Sequence, residues 1–141
     1  MEKEEGKATI LLVEDDPDFC EILSVLLRME GFQVVCARNG YEGYLAARRS
    51  RPDLIITDLC MPQVSGLELI SRLKQTPRLA GVPVVALSAE EKSELFQARR
   101  LGAEAVLEKP LDFERVFAVV AQVLGARQRH RQGILHREKI A

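Results

Sequence analysis

The stretch TILLVEDDP, residues 9–17, decides the fold of this chain. Its first five residues are nearly all aliphatic, which is typical of a strand that is buried on both faces of a parallel sheet. Three acids follow, and Asp16 before Pro17 predicts the cap and the first position of a helix. A buried strand that leads directly into a helix indicates a domain of alternating strands and helices.

The rest of the chain continues this alternation. Short β-rich runs predict five strands, at Thr9–Val13, Gln33–Ala37, Leu54–Thr57, Pro83–Leu87 and Ala105–Leu107. Apolar residues at helical spacing predict a first helix that begins at Pro17, ends at Gly31 and buries Phe19, Ile22, Leu23, Leu26 and Leu27. Four more helices are predicted at Asn39–Arg49, at Gly66–Lys74 with Leu67, Ile70 and Leu73 buried, at Glu91–Leu101, and from a cap at Asp112 to about Leu124.

These elements predict an α/β fold, with a doubly wound, five-stranded parallel sheet of strand order 2-1-3-4-5 and five helices. A length of 141 residues, 47% of them apolar, suits one core of this kind. After Gly125 the composition becomes basic, with Arg127, Arg129, Arg131, Arg137 and Lys139. We therefore expect an N-terminal extension over residues 1–7, one domain over residues 8–124 and a basic C-terminal tail over residues 125–141.

Charge argues against one broad class of function. The chain has 20 basic and 21 acidic residues and a formal net charge of −1, which disfavours a globally basic nucleic-acid binder. The basic tail has no interleaved aromatic residues, so we expect a solvated end and no nucleic-acid partner.

Hydropathy and cysteine content place the protein in a reducing compartment. The longest apolar run, Val116–Ala121, is far shorter than the roughly 20 residues that cross a bilayer, and the amino terminus lacks the apolar stretch of a signal peptide. Cys20, Cys36 and Cys60 fit neither a disulfide framework nor a metal-binding pair. We therefore expect a cytoplasmic protein without a membrane partner, whose cysteines are reduced thiols in small apolar positions.

Polar residues follow most of the predicted strands. Glu14 and Asp15 come after the first strand, Asp58 after the third, Ser88 after the fourth and Lys109 just past the fifth. In a doubly wound sheet of this order the first and third strands are neighbours, so their terminal acids converge at the edge where such folds bind ligands.

The three acids need cations beside them, because like charges at short range raise one another's pKa. Oxygen ligands without His or Cys suit a hard cation such as Mg²⁺, which also binds phosphate oxygens. Three carboxylates, one Mg²⁺ and the ammonium of Lys109 sum to zero charge, so the pocket is suited to phosphoryl transfer. Asp58 is then the candidate nucleophile and Ser88 a candidate hydrogen-bond donor. Both histidines, His130 and His136, lie in the tail, so a phosphohistidine donor must come from another protein.

From about Ala8 to Leu124 the chain closely resembles the receiver domain of two-component response regulators. The resemblance is carried by five segments in the family's order and spacing: Ile10–Asp16, Pro52–Pro62, Ser65–Gly66, Ser88–Ala89 and Glu108–Pro110. It implies a flavodoxin-like fold and a stand-alone, chemotaxis-type single-domain regulator that promotes only its own phosphorylation and dephosphorylation and is not a turnover enzyme. The implied partners are a sensor histidine kinase or phosphotransfer protein, an unidentified downstream protein and a phosphorylation-dependent second copy.

The resemblance also assigns roles to residues. It implies that Asp58 is the phosphoacceptor and that Mg²⁺ is held by Asp15, Asp58 and the backbone carbonyl of Cys60, with Glu14 assisting. Ser88 stands at the family's switch Ser/Thr position. Lys109 is the phosphate-binding lysine, whose bond to Pro110 is typically cis.

Three positions bear on how the switch works. Val106 stands where the family usually has Tyr or Phe, so an aromatic rotamer switch cannot operate here. Leu111 occupies a site that is often Phe. In the family, the side chains at the positions of Cys60 and Glu90 influence the lifetime of the acyl phosphate.

Two other functions fit parts of the sequence. Val106 is consistent with a receiver-like adaptor that binds partners regardless of phosphorylation. Asp16-Pro17-Asp18 formally matches the D-x-D motif of aspartyl-phosphate phosphatases of the haloacid-dehalogenase type. The proline and the amphipathic pattern disfavour the phosphatase, because they place those residues at a helix start.

Overall fold

The computed structural model describes residues 6–89 and 92–140, with side chains described up to Arg127. Five strands and five helices alternate, as the sequence predicts. The strands are β1 Thr9–Val13, β2 Gln33–Ala37, β3 Leu54–Asp58, β4 Val84–Ser88 and β5 Ala105–Glu108. The helices are α1 Pro17–Met29, α2 Gly40–Ser50, α3 Gly66–Gln75, α4 Lys92–Leu101 and α5 Phe113–Ile140. The predicted first residue of the fourth helix, Glu91, lies outside the described residues.

The strands form one parallel sheet of order β2-β1-β3-β4-β5, which confirms the predicted topology. Helices α1 and α5 cover one face of the sheet, and α2, α3 and α4 cover the other. Each face carries its own core because successive side chains of a strand point to opposite faces. In β1, for example, Leu11 and Val13 join the α2–α4 core, whereas Ile10 and Leu12 join the α1–α5 core.

Helix α1 begins as predicted but buries a narrower face. The carboxylate of Asp16 accepts hydrogen bonds from the backbone N–H of Asp18 at 3.0 Å and of Phe19 at 3.4 Å. Asp16 is therefore a helix cap, which leaves the phosphatase interpretation without its nucleophile. The buried face centres on Leu23 and Leu27, and the prediction that Ile22 is buried is wrong, because this side chain is 54% exposed.

The difference follows from helical geometry and from one polar contact. Consecutive helical residues lie about 100° apart, so a helix centred on Leu23 and Leu27 turns Ile22 away from the sheet. The neighbour on the inner side is Ser24, which is buried with its hydroxyl 3.0 Å from the sulfur of Cys36.

Helix α2 forms despite its two glycines and few large apolar residues. The Asn39 side chain caps it by accepting a hydrogen bond from the Glu42 N–H at 2.9 Å. Gly43 lets the helix approach the sheet closely, because an added Cβ would lie 2.9 Å from a methyl group of Val13.

In α3 the fully buried residues are Leu69, Ile70 and Leu73, whereas Leu67 is only partly buried.

Two further predictions are wrong in part. The last helix does not end near Leu124, because its backbone continues through the basic segment to Ile140. The two glycines inside this helix, Gly125 and Gly133, cost only about 1 kcal/mol each, and the Ala, Arg and Gln residues between them favour helix. The cysteines are free thiols, yet Cys36 on the edge strand β2 and Cys60 in the loop after β3 are exposed, and only Cys20 is partly buried. The division at residues 124 and 125 stays a prediction.

Among the described helices, none has both the length and the apolar character that crossing a bilayer requires.

Candidate functional site

Three carboxylates meet at the carboxyl edge of the sheet. Strands β1 and β3 are neighbours, with Val13 paired to Thr57, so Glu14 and Asp15 emerge beside Asp58. One carboxylate oxygen from each acid lies within 4.8 Å of the others. Glu14 and Asp58 are buried and Asp15 is exposed. The convergence predicted for these acids is therefore confirmed in the structure.

The backbone around the acids fixes their positions. The Glu14 N–H donates to the carbonyl of Ala37 at 3.0 Å, which continues the β1–β2 pairing by one residue. The Cys60 N–H points at one oxygen of the Asp58 carboxylate from 3.5 Å. Gly66 at the start of α3 lies against the same loop, because an added Cβ would come within 2.2 Å of the Asp58 carbonyl oxygen. Only glycine permits this approach without displacement of the backbone.

Lys109 is the cation of the site. Its ammonium lies 3.3 Å from Glu14 Oε2 and 3.4 Å from Asp58 Oδ2, so it contacts both buried carboxylates at once. The ring of Phe19 lies beneath it, with 4.4 Å between the ammonium and the ring centroid. The Lys109 N–H donates to the Ser88 carbonyl at 2.8 Å, and the bond to Pro110 is cis, as the resemblance implied.

The pKa values show that Lys109 does not offset the cost of burying the carboxylates of Glu14 and Asp58. Burial, reinforced by the charge of Asp58, raises the pKa of Glu14 to about 7. Burial also raises the pKa of Asp58, although Lys109 opposes the shift. Burial by itself lowers the pKa of Lys109, but the carboxylates of Asp58 and Glu14 outweigh it and hold this pKa above its ordinary value. The site therefore favours a further positive charge or a proton.

The donor set fits a hard divalent cation. Three carboxylate oxygens stand within reach of one another, and among the described residues neither His nor Cys side chains join this group. Such oxygen ligands, with room for water on the exposed Asp15 side, match the preference of Mg²⁺. Receiver domains bind Mg²⁺ at an acidic pocket of this kind.

Ser88 ends β4 and is fully buried. Its hydroxyl donates to Glu94 Oε2 at 3.0 Å, which ties the end of β4 to the first turn of α4. Sequence analysis missed Glu94. The available signal was an acid six residues after a candidate switch serine, but many helices carry acids in the first turn, so this signal is not specific.

The three positions that depart from or modulate the family pattern are placed as follows. Val106 in β5 is partly buried and packs against the α2–α4 core. Leu111 is partly buried and packs against the α1–α5 core. Cys60 is exposed beside Asp58, and Glu90 lies outside the described residues.

Comparisons with known proteins agree with this geometry. The family model of the response regulator receiver domain matches residues 10–121. The polar-differentiation response regulator DivK of Brucella anthropi is 34% identical over 118 residues, which cover 83% of this chain and 96% of DivK. The DNA-binding dual master transcriptional regulator RpaA of Synechocystis sp. is 35% identical over 92% of this chain, but this chain spans only 54% of RpaA.

The solved structures give the same result. The chemotaxis protein CheY4 of Vibrio cholerae superposes with a TM-score of 0.79 at 26% identity, covering 84% of this chain and 99% of the CheY4 chain. A family match across most of the residues, together with relatives that share more than the fold, means that this chain belongs to the response regulator receiver domains of two-component phosphorelay signalling.

Proposed function

We propose that the protein accepts a phosphoryl group on Asp58 from a phosphohistidine of a sensor histidine kinase or phosphotransfer protein. The observation that carries the proposal is the position of the Asp58 carboxylate, which is buried, lies 3.4 Å from the Lys109 ammonium and belongs to one cluster with Glu14 and Asp15. A carboxylate so placed is shielded from bulk water but keeps an oxygen directed at a cationic site, as a nucleophile for phosphorus requires.

The phosphoryl transfer needs no reactant besides the phosphohistidine donor. An oxygen of Asp58 forms a bond to phosphorus, the phosphorus–nitrogen bond of the donor breaks, and the donor imidazole leaves with the electron pair and takes up a proton. Lys109 stays within hydrogen-bonding reach of the carboxylate and stabilises the negative charge of the transferring oxygens. The acyl phosphate is later hydrolysed by water, so the protein completes a signalling cycle and is not a turnover enzyme.

Mg²⁺ fits the same arrangement. We assign it to Asp15, Asp58 and the backbone carbonyl of Cys60, with Glu14 assisting. When bound, the ion supplies two positive charges that neutralise phosphoryl oxygens. Burial raises the pKa of both Glu14 and Asp58. Because the ion binds the ionised carboxylates, its uptake is coupled to loss of protons from these acids.

Ser88 connects the chemistry to the surface. Its hydroxyl makes a hydrogen bond to Glu94, so a bond to a phosphoryl oxygen requires the hydroxyl to turn away from Glu94. That movement frees the first turn of α4, and it needs no aromatic residue at position 106. The proposed output is therefore altered binding of a downstream protein, or of a second copy of the chain, in the cytoplasm.

The test is the intact mass of the protein after incubation with Mg²⁺ and acetyl phosphate. The parent should gain the mass of one phosphoryl group, and the gain should disappear when Mg²⁺ is chelated. Asp58→Asn is the essential variant, because it keeps the shape of the side chain but removes the nucleophile. Asp53→Asn, at the opposite end of β3, is the matched control and should gain the phosphoryl group. An unchanged mass of the parent would overturn the proposal.

A second candidate function is an adaptor that binds its partner irrespective of phosphorylation. Val106 favours it, because the aliphatic side chain lacks the ring that usually couples the site to the output face. Partner affinity measured with and without beryllofluoride, a mimic of the phosphoryl group, separates the two functions. Equal affinities support the adaptor, whereas a change that Asp58→Asn abolishes supports the switch.

A further inference from the structure

A cavity of about 880 Å³ lies at the edge of the sheet opposite to Asp58. It is lined by the end of α2, the residues before β3, the connection from α3 to β4, and one residue of α5. Asp53 precedes β3 and lines this cavity, whereas Asp58 ends the same strand at the other edge. The cavity is therefore separate from the receiver site.

The wall of this cavity is strongly basic. It contains five arginines and one acid, which is a formal charge of +4: Arg48, Arg49, Arg51, Arg78, Arg127 and Asp53. Within the described parts of the chain, no carboxylate lies within ion-pair distance of the first four arginines. The Arg127 guanidinium donates to the backbone carbonyl of Asp53, which holds α5 against the cavity.

Helix electrostatics explain only part of this set. Cations in the last turn stabilise a helix, which accounts for Arg48 and Arg49 at the end of α2. Arg78 and Arg127 come from other elements, so the dipole of α2 does not explain them. Arg51 caps α2 with φ of +47°, a conformation in which glycine or asparagine is usual. An arginine at a positive φ destabilises the backbone relative to glycine, which is consistent with a role for its charge.

Part of the cavity lining is apolar and aromatic. Tyr44, Leu45, Leu79 and Val82 form it, and the Arg48 guanidinium lies 5.9 Å from the centroid of the Tyr44 ring. The Tyr44 hydroxyl is held 3.1 Å from the hydroxyl of Thr76, so the ring is fixed in place. A ring held in place beside several cations is suited to a ligand that carries both a planar apolar part and an anionic part.

We propose that this cavity binds a phosphorylated small molecule of the nucleotide class. The arginines bind the phosphate chain, because one guanidinium group donates two parallel hydrogen bonds to phosphate oxygens. The apolar part of the lining, which includes Tyr44, binds the base. The volume lies within the roughly 300–1,000 Å³ usual for small-molecule sites. Inorganic phosphate alone would leave the apolar side unused.

The test uses the full chain, labelled with ¹⁵N and titrated with ATP and with GTP in the presence of a chelator. Without divalent cations the acidic edge repels the nucleotide, so binding there does not interfere. At least one nucleotide should cause saturable shifts in the amide signals of Tyr44, Thr76 and Leu79, with the signals of Leu59 and Cys60 unchanged. Arg78→Gln should weaken binding about tenfold, the loss expected for one charge-assisted hydrogen bond. Arg100→Gln, an exposed arginine of α4 outside this cavity, should bind as the parent does.

A second variant separates a ligand role from a structural one. Arg51→Gly should weaken nucleotide binding without lowering the thermal midpoint, because glycine adopts a positive φ without strain. Failure of both nucleotides to saturate at millimolar concentration would overturn the proposal. Equal affinity for tripolyphosphate would also overturn it, because the arginines would then recognise phosphate alone. Tighter binding of duplex DNA, with shifts in the amide signals of α5, would overturn it as well, because the arginines would then belong to a nucleic-acid site. Phosphorylation of Asp58 is measured independently, so the two proposals fail separately.

Discussion

The two edges of the sheet differ in how their charges are held. At the carboxyl edge, neighbouring strands bring three acids within 4.8 Å of one another around a single ammonium. At the opposite edge, five arginines line an open cavity and come from the end of α2, the loops beside it and the interior of α5. Burial, together with nearby like charges, changes the protonation of the acids, whereas charges that face solvent across a cavity are screened. A substitution at the acidic edge should therefore alter chemistry and stability together, and one at the basic edge should chiefly alter ligand binding.

The largest expected effect comes from removing the cation of the acidic edge. In Lys109→Met the rate of phosphorylation by acetyl phosphate, followed by intact mass, should fall about 100- to 1,000-fold, the usual loss for one preorganised electrostatic donor. Lys74→Met is the control at the opposite edge, where this ammonium binds Glu104 at 3.0 Å and the carbonyl of Val82 at 3.2 Å. It should lower stability but leave the phosphorylation rate unchanged. If the Lys109 variant reacts as fast as the parent, the charges of the acidic edge do not control phosphorylation, and the two edges do not differ in this respect.

The next effect tests the packing of each edge. Gly66→Ala places a Cβ within 2.2 Å of the Asp58 carbonyl oxygen and 2.6 Å of the Leu59 Cα. Because backbone must move to admit it, the free energy of unfolding should fall by about 3 kcal/mol. Gly81→Ala, near the other edge, meets no heavy atom within 4 Å and should cost almost nothing. The free energy of unfolding of both variants is measured by urea denaturation. Equal losses of this free energy would show that the acidic edge is not more tightly packed than the opposite edge.

The third effect is the pH dependence of stability in the metal-free protein. Burial and the charge of Asp58 raise the pKa of Glu14 from 4.5 to about 7, so the folded state binds more protons than the unfolded state between these values. Stability must then fall as the pH rises from about 4.5 to 7. One pKa unit corresponds to about 1.4 kcal/mol, so raising this pKa from 4.5 to about 7 corresponds to a loss of about 3 kcal/mol.

Two controls accompany this measurement. Glu14→Gln should flatten the pH dependence of the free energy of unfolding, because the amide does not titrate. Saturating Mg²⁺ should reverse the slope, since the ion binds the ionised carboxylates. If stability of the metal-free parent rises over this pH range, the raised pKa of Glu14 is wrong.

Sequence reasoning located the acidic edge because β-strands impose simple rules. Buried strands show continuous apolar runs, their carboxyl ends share one edge, and a neighbouring pair brings Glu14, Asp15 and Asp58 together. Lys109 followed from the same rule. The cis bond before Pro110 and the switch role of Ser88 depended instead on resemblance to a family, because strand patterns hold no information about peptide isomers or switch residues.

The features that the sequence did not reveal depend on orientation and on helix length. Ile22 and Leu23 are adjacent, and only packing decides which of them faces the sheet. The continuation of α5 to Ile140 was missed because the sequence after Gly125 has few apolar residues and so lacks the apolar periodicity that predicts a helix. The arginine cavity gathers residues that are far apart in the chain and on different elements, so spacing along the chain could not predict it.

The smallest effect concerns the link from the acidic edge to α4. The Ser88 hydroxyl donates to the Glu94 carboxylate at 3.0 Å, and this bond must break before Ser88 reaches a phosphoryl group on Asp58. A hydrogen bond to a charged group contributes about 1.5 kcal/mol or more. Glu94→Ala should therefore increase the steady-state fraction of phosphorylated protein, with the ratio of phosphorylated to free protein rising up to about tenfold. Glu114→Ala, in the first turn of α5, is the matched control and should change nothing. An unchanged ratio in Glu94→Ala would mean that Ser88 turns without resistance and that α4 receives no signal through it.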